Sequence, residues 1–144
     1  MQQSCEEIKR IFLMCKTIDR QVTHNFEKRT GISLTRYEML HTLLNRGKLP
    51  QTELQQSLKI DQAAITRHLK ILEDKSFVLR ERNKQNNREV IVEITDEGRK
   101  VLEDCDGNRK QFFDDLFIDF SEEEKRQLQT LVTKLLDNSN KQFI

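Results

Sequence analysis

Polar and basic side chains recur on one side of the segment between residues 62 and 72. Ile65, Leu69 and Leu72 repeat at three- and four-residue intervals, which predicts a helix with these residues facing inward. The opposite side combines hydrogen-bonding and positively charged groups with one small methyl: Gln62, Ala63, Thr66, Arg67 and Lys70. Such a face is suited to contact with an anionic partner.

The net charge of +1 hides an uneven distribution along the chain. Residues 59–88 hold eight basic and four acidic side chains, a net charge of +4, whereas residues 94–144 hold eight basic and twelve acidic ones, a net charge of −4. A basic middle followed by an acidic end indicates that an anionic partner binds in the middle of the chain.

Two short helices joined by a tight turn are predicted to position the basic face. Pro50 suits the first turn of a helix whose inward residues are Leu54 and Leu58. Asp61 is a natural N-cap for the next helix, which carries the basic face. This arrangement is typical of a helix-turn-helix.

The apolar period changes from 3.6 to 2 after Ser76. Two strands are predicted by the runs FVLRE and VIVEIT, which flank the octet RNKQNNRE at residues 82–89. Because the octet lacks any apolar side chain, it is predicted to be the polar tip of a hairpin.

Longer helices are predicted on either side of this module. The first is expected to begin at a capping box of Ser4 and Glu7 and to end at Gly31. A second capping box, Thr35 with Glu38, predicts the start of the following helix.

The first and last helices carry apolar stripes far from the central module. Ser121 and Glu124 form a capping box for the last helix. Two stripes at opposite ends of a small chain are most economically buried against a second copy, which predicts a homodimer. The stripes are Ile8, Phe12, Cys15, Ile18, Val22 and Phe26 in the first helix, and Leu128, Leu131, Val132, Leu135 and Leu136 in the last.

Four pieces of the chain resemble the MarR family of bacterial transcription regulators: ITRHLKILE, FVLRERN, NNR and VEITDEG. They correspond to the recognition helix, the first wing strand, the wing tip and the second strand. The resemblance implies a mainly α (α+β) fold, a winged helix-turn-helix with a two-strand β-hairpin wing and N- and C-terminal dimerisation helices. It also implies one domain over residues 1–144, with dimerisation helices at 1–30 and 112–144 and a DNA-binding region at 35–98.

The implied function is that of a sequence-specific transcriptional regulator, a homodimeric repressor that binds near-palindromic double-stranded DNA in the cytoplasm. Arg67 would donate two hydrogen bonds to guanine, and Gln62 would form hydrogen bonds with adenine. The methyl groups of Ala63 or Thr66 would contact thymine. The remaining expected DNA contacts are Lys70, Lys84, Asn87 and Arg88.

Two positions depart from the pattern of the family. The turn between the central helices usually has glycine where this chain has Lys59, because that residue often takes a positive φ. At the wing tip, relatives carry Asp-Arg-Arg, whose acid braces the second arginine, whereas this chain has Asn86-Asn87-Arg88. The wing is therefore expected to be loose until DNA holds it.

Release from DNA is expected through a small-molecule effector or through thiol oxidation. The usual pocket of the family lies between the terminal helices and the winged domain, where Phe12, Tyr37 and Met39 are the expected lining. Cys15 and Cys5 are the candidate redox thiols. Cys15 is alternatively a buried small hydrophobe, since Tyr37 is the only tyrosine and peroxide sensing relies on several.

Other classes of function find little support in the residues. The chain has no nucleophile elbow, glycine-rich phosphate loop or HExxH motif, so no enzyme and no cofactor is expected. No CxxC pair is present and no histidine follows the half-buried His68, so no metal is expected. No apolar run reaches the roughly 18 residues of a membrane span. A winged-helix module for protein interaction and an ArsR-like metal-sensing repressor stay as alternatives.

Overall fold

The computed structural model describes residues 2–86 and 88–142, and the side chains among them from residue 4 onward. Four helices, a hairpin and two helices follow in order, which confirms the mainly α fold with a β-hairpin wing. The chain divides into two compact units, residues 1–110 and 111–144. The elements are α1 (Gln2–Thr30), α2 (Leu34–Arg46), β1 (Leu49–Pro50), α3 (Gln51–Leu58), α4 (Gln62–Asp74), β2 (Val78–Arg82), β3 (Val90–Ile94), α5 (Asp96–Leu116) and α6 (Glu122–Gln142).

The sheet has three antiparallel strands in the order β1-β3-β2, one more than the predicted hairpin. Strands β2 and β3 form the hairpin, in which Arg80 lies opposite Val92. Strand β1 adds only Leu49 and Pro50 to the other edge of β3. Two residues cannot show an alternating pattern, and proline occurs in sheets mainly at edges, so β1 was not predictable from periodicity.

Two predicted helix starts are wrong. Helix α1 already includes Gln2, so Ser4 lies inside the helix instead of capping it. Helix α2 begins at Leu34 after the N-cap Ser33, whose Oγ accepts a hydrogen bond from the Arg36 backbone N at 3.2 Å. Thr35 therefore lies within the helix. Both serine and threonine can cap, so hydroxyl chemistry alone does not decide which of two close residues does so.

Side-chain caps also begin α5 and α6, and the predicted start of α6 is confirmed. Thr95 Oγ1 accepts a hydrogen bond from the Gly98 backbone N at 3.0 Å, and its hydroxyl donates to the Ser76 carbonyl at 2.6 Å. Ser121 and Glu124 form the predicted reciprocal box, with N···O distances of 3.1 and 2.9 Å. Thr95 therefore caps the helix that follows the wing, and Ser121 caps the last helix as predicted.

The apolar core of the first unit lies between the helix-turn-helix and the hairpin. The inward residues that were predicted for α4 are buried, as is Leu54 of α3, and they pack with residues of α1, α2 and the strands. The largest side chains with essentially no exposure are Phe26, Met39, Leu40, Leu43, Leu54, Ile65, Leu69, Leu72, Val78 and Val92. This core fixes the orientation of α4, because three of its residues are locked on the inner side.

Gly98 lies where the first turn of α5 approaches β2 and β3 most closely. A Cβ at this position would overlap the backbone carbonyl oxygen of Phe77 and lie 2.8 Å from Ile94 Cγ1. Backbone atoms cannot swing aside as a flexible side chain can. Only glycine therefore fits this junction between the wing and α5.

Gly98→Ala is expected to lower the free energy of unfolding by about 1–3 kcal/mol, because the added methyl overpacks the junction. Urea unfolding followed by circular dichroism measures this loss. Gly107→Ala on the same helix is the matched control, since its Cβ would meet nothing within 4 Å and helical alanine is favoured over glycine. Equal stability of the two variants would contradict the packing account.

The apolar stripe of α1 is exposed within this chain from Ile8 to Ile18, whereas Phe26 at its other end is buried, and none of residues 122–142 is buried. Cys15, which lies on the stripe expected to meet a second copy, is exposed within this chain. Cys5 is also exposed, and Cys105 is the buried cysteine. The exposed large side chains are Ile8, Ile11, Phe12, Leu13, Met14 and Ile18 on α1, and Leu128, Leu131, Val132, Leu135 and Leu136 on α6.

Candidate nucleic-acid interface

The turn before α4 places the N-terminus of this helix at the surface. Lys59 takes φ 54° and ψ 42°, the left-handed conformation that glycine usually supplies, and a lysine there is strained. Asp61 is the N-cap, as predicted, and its Oδ1 accepts a hydrogen bond from the Ala64 backbone N at 2.7 Å. The helix-turn-helix of the sequence prediction is thus formed with a strained residue in its turn.

The outer face of α4 presents all five predicted contact residues to solvent. Thr66 donates its hydroxyl to the Gln62 carbonyl at 2.8 Å, so its hydroxyl proton is used within the helix and its methyl remains available for apolar contact. Lys70 Nζ lies 3.1 Å from Asp74 Oδ1 in an exposed pair that contributes little to stability and can exchange for a phosphate. The exposed residues of this face are Gln62, Ala63, Thr66, Arg67 and Lys70.

A polar contact between α2 and α4 was not predicted. Arg36 Nη1 lies 3.3 Å from His68 Nδ1, and Arg36 Nη2 lies 3.5 Å from Glu27 Oε1 at the end of α1. His68 is half-buried as expected, and desolvation together with the charges of Arg36 and Arg67 lowers the pKa of its imidazole. Arg36 and His68 are 32 residues apart, so no local pattern indicates their contact.

A second unpredicted contact ties the wing to α4. Arg80 of β2 donates from Nε and Nη2 to the two carboxylate oxygens of Glu73, at 3.2 and 3.0 Å. The hydrogen bonds from Arg80 lower the pKa of the Glu73 carboxyl. Because this pair is bidentate, it fixes orientation as well as distance between the helix and the strand.

Glu73→Gln is expected to reduce the free energy of unfolding by about 1 kcal/mol or less at neutral pH, since Glu73 is partly exposed and the pair is screened. The folded pKa of Glu73 lies below the unfolded value, so its contribution is present above about pH 4.5 and is lost as pH falls through the folded pKa. Unfolding measured between pH 2 and 7 should show the two proteins converging in acid. Asp74→Asn is the neighbouring control, and a difference that persists unchanged at pH 2 would refute the linkage.

The wing tip is organised by asparagine side chains. Asn83 donates two hydrogen bonds to Glu89, from its backbone N to the Glu89 carbonyl at 2.8 Å and from Nδ2 to Oε2 at 2.9 Å. Asn86 Oδ1 accepts a hydrogen bond from the Arg88 backbone N at 3.2 Å. Asn86 therefore shapes the turn although it lacks the charge of the aspartate in relatives. A wing that is loose without DNA stays a prediction.

Two of the three predicted wing contacts are exposed at this tip. Lys84 and Arg88 both lie at the surface beside the turn that Asn86 organises. Asn87, the third, lies outside the described residues. The contact of these residues with DNA is not tested by the geometry and stays a prediction.

The predicted effector residues lie in different surroundings. Tyr37 is buried against Phe26, with ring centroids 5.6 Å apart, and the Arg109 guanidinium lies 5.6 Å from the Tyr37 ring centroid. Met39 is fully buried, and residues two positions apart on a helix point in different directions. Phe12 is exposed on α1. A pocket lined by these three residues stays a prediction.

The buried thiol of Cys105 donates to the Thr30 carbonyl at 3.6 Å. Burial, followed by the negative charges of Asp104 and Asp106, raises the pKa of this thiol. A thiol with a raised pKa is less reactive, so Cys105 is poorly suited to redox sensing.

Within the described part of the chain, no three His, Cys, Asp or Glu side chains gather in a cluster that could hold a metal ion. Among these same residues, the helices are too short or too polar to cross a membrane.

Comparisons with known proteins place this geometry in a family. The family model "MarR family" matches residues 32–90, which contain the helix-turn-helix and most of the wing. The HTH-type transcriptional regulator YdgJ of Bacillus subtilis (strain 168) is 35% identical over 136 residues, covering 94% of this chain and 83% of that protein.

Solved structures show the same fold at lower identity. A cysteine-to-serine mutant of MarR from E. coli, complexed with operator DNA, has a TM-score of 0.82 at 22% identity. The matched region covers 90% of this chain and 96% of the MarR chain. BpsR of Bordetella bronchiseptica, whose DNA binding is regulated by 6-hydroxynicotinic acid, has a TM-score of 0.78 at 16% identity. The matched region covers 88% of this chain and 98% of the BpsR chain. From the family match, the YdgJ relative and the winged helix-turn-helix, the chain belongs to the MarR family of transcriptional regulators.

Proposed function

We propose that this regulator is a homodimer that binds a near-palindromic operator as a repressor, with α4 as the recognition helix of each subunit. The observation that carries the proposal is the exposed outer face of α4, joined to the wing by the Arg80–Glu73 pair. Both elements belong to the first unit, so one compact unit supports a helix for the major groove and a wing beside it.

Each exposed residue of α4 has a specific role in the proposal. Arg67 donates two hydrogen bonds to guanine, at O6 and N7, and Gln62 forms hydrogen bonds with adenine. Ala63 and Thr66 offer methyl groups to thymine, which agrees with the internal hydrogen bond of the Thr66 hydroxyl. Lys70 exchanges Asp74 for a phosphate and so positions the helix without discriminating between bases.

The proposed wing contacts are Lys84, Asn87 and Arg88. Lys84 and Arg88 are exposed on the polar tip, where basic side chains can reach the flanking minor groove and its phosphates. The relative from E. coli with operator DNA bound has the same fold, which supports this docking for the present chain.

The homodimer is supported by the exposed apolar faces of α1 and α6. These faces hold large aliphatic and aromatic side chains that are about half exposed or more, such as Phe12 at 65% and Leu135 at 61%. Contiguous exposed apolar residues of this kind mark an interaction surface. A second copy supplies an identical apolar surface and places two recognition helices on a two-fold axis.

Release from the operator is proposed to follow a small-molecule effector or oxidation of an exposed thiol. The regulation of BpsR by 6-hydroxynicotinic acid supports the first route. The second route is supported by Cys5 and Cys15, two thiols on α1 that are exposed in the single chain and are open to oxidation when the proposed dimer dissociates. Either event must favour a dimer geometry that binds DNA poorly, since only differential affinity shifts the equilibrium.

Salt dependence tests DNA binding against the alternative of a protein-interaction module. Fluorescence anisotropy with a labelled duplex should show affinity falling by about a thousandfold or more between roughly 50 and 200 mM salt, if some 6–10 phosphates are contacted. Lys70→Gln should reduce the slope of log affinity against log salt by about one. A salt-independent affinity, or no binding to any duplex, would favour the protein-interaction module.

A further inference from the structure

Arg36 lies between the end of α1 and the recognition helix. It donates from one side of the guanidinium to His68 Nδ1 at 3.3 Å and from the other to Glu27 Oε1 at 3.5 Å. Only 15% of the Arg36 side chain is exposed, so its contact with His68 is partly shielded from water, whereas Glu27 is about half exposed. A guanidinium donates and never accepts, so His68 Nδ1 must accept and the imidazole must be neutral, with its proton on Nε2.

Packing leaves the Arg36 guanidinium with room to move. A cavity of about 260 Å³ borders Arg36 and is also lined by Leu72 and Lys75 at the end of α4. Arg36 is therefore not closely packed on every side, and its two hydrogen bonds contribute to its position. Loss of the acceptor at His68 would let Arg36 swing into this space and release the side of α4 that it holds.

We propose that Arg36 is a positioning residue for operator recognition, which holds the recognition helix at its docking angle through the neutral imidazole of His68. The inference rests on the DNA-binding function proposed above. His68 follows Arg67 directly in the chain, so a shift of α4 at this point displaces the residue expected to contact guanine. Neither Arg36 nor His68 touches a base in this account.

Protonation of His68 distinguishes a positioning role of the Arg36–His68 contact from a purely electrostatic effect on DNA binding. The charged groups that face the imidazole in the described structure are Arg36 from α2 and Arg67 from α4, with Glu27 of α1 behind Arg36. A protonated imidazole cannot accept from Arg36, and it adds a positive charge beside the DNA. Charge alone would strengthen DNA binding in acid. Loss of positioning would instead weaken binding to the operator while leaving binding to random sequence unchanged or stronger.

The experiment compares the intact protein with His68→Asn and His68→Leu on two duplexes between pH 8 and pH 5. One duplex is selected from a random pool at pH 7.5, and the other is an unselected control. Asparagine Oδ1 replaces Nδ1 as an acceptor and does not titrate, whereas leucine fills the space without accepting. The measured quantity is the ratio of affinities for the two duplexes.

For the natural protein, the ratio is expected to fall about three- to tenfold in acid, the size expected for one hydrogen bond. His68→Asn should keep the neutral-pH ratio at every pH, and His68→Leu should show the reduced ratio throughout. If His68→Leu does not fold, the asparagine variant alone decides. A ratio that stays constant or rises in acid, or an asparagine variant that follows the natural protein, would overturn the inference. Absence of any selected duplex would instead count against the DNA-binding function.

Discussion

Arg67→Ala is expected to weaken operator binding by about 1–3 kcal/mol, roughly 5- to 150-fold, and to relax the base preference at one position of each half-site. Arg67 is exposed on the outer face of α4, where a guanidinium can meet guanine O6 and N7 together. Anisotropy on the selected operator and on operators with single base changes measures both effects. The loss should be largest on the guanine-containing operator and smallest on random DNA.

Arg67→Lys separates charge from geometry in the same experiment. Lysine keeps the attraction for phosphates but loses the planar two-donor fork, so binding to random DNA should persist while discrimination falls. Arg99→Ala is the control, since Arg99 is an exposed arginine of α5 that pairs with Asp96. Equal losses for Arg67→Ala on every duplex would show that this residue contacts phosphate only.

The second large effect is expected from charges placed on the apolar face of α6. Leu131→Lys with Leu135→Lys should prevent the proposed homodimer, because two lysines of each copy would be buried without partners. Loss of the linked second half-site should reduce operator affinity by about 10²- to 10⁴-fold. Analytical ultracentrifugation measures the mass in solution, and anisotropy measures the affinity.

Thr130→Lys is the matched control for this pair. Thr130 lies on the same helix but outside the spacing of the apolar stripe, so its replacement should leave both the mass and the affinity unchanged. If the double variant stays dimeric, or binds the operator as a monomer with full affinity, the face of α6 is not the dimer surface.

The sequence predicted the elements that local patterns define. Ile65, Leu69 and Leu72 repeat with the period of a helix, Asp61 caps it, and the change to a period of two marks the hairpin. These patterns depend on neighbouring residues, so the outer face of α4 and the polar wing tip followed from them directly. The strain at Lys59 was also foreseeable, since glycine is the usual residue in that turn.

Contacts between distant residues were beyond such patterns. Arg36 meets His68 and Arg80 meets Glu73 only because the core orients their helices and strands. Periodicity did not predict the structural role of Gly98, because that role comes from the Phe77 carbonyl facing it. Cys15 is exposed within this chain for a related reason. An apolar stripe shows that a partner surface is needed but not whether this chain supplies it.

Selection of bound sequences from a random duplex pool tests the central claim most directly. The account predicts enrichment of a two-fold-symmetric motif, with half-site centres about one helical turn, roughly 10–10.5 base pairs, apart. Repeating the selection after mild oxidation shows whether the exposed thiols control binding. Absence of any enriched motif, or enrichment of a single half-site without symmetry, would contradict a homodimer that binds its operator through paired recognition helices.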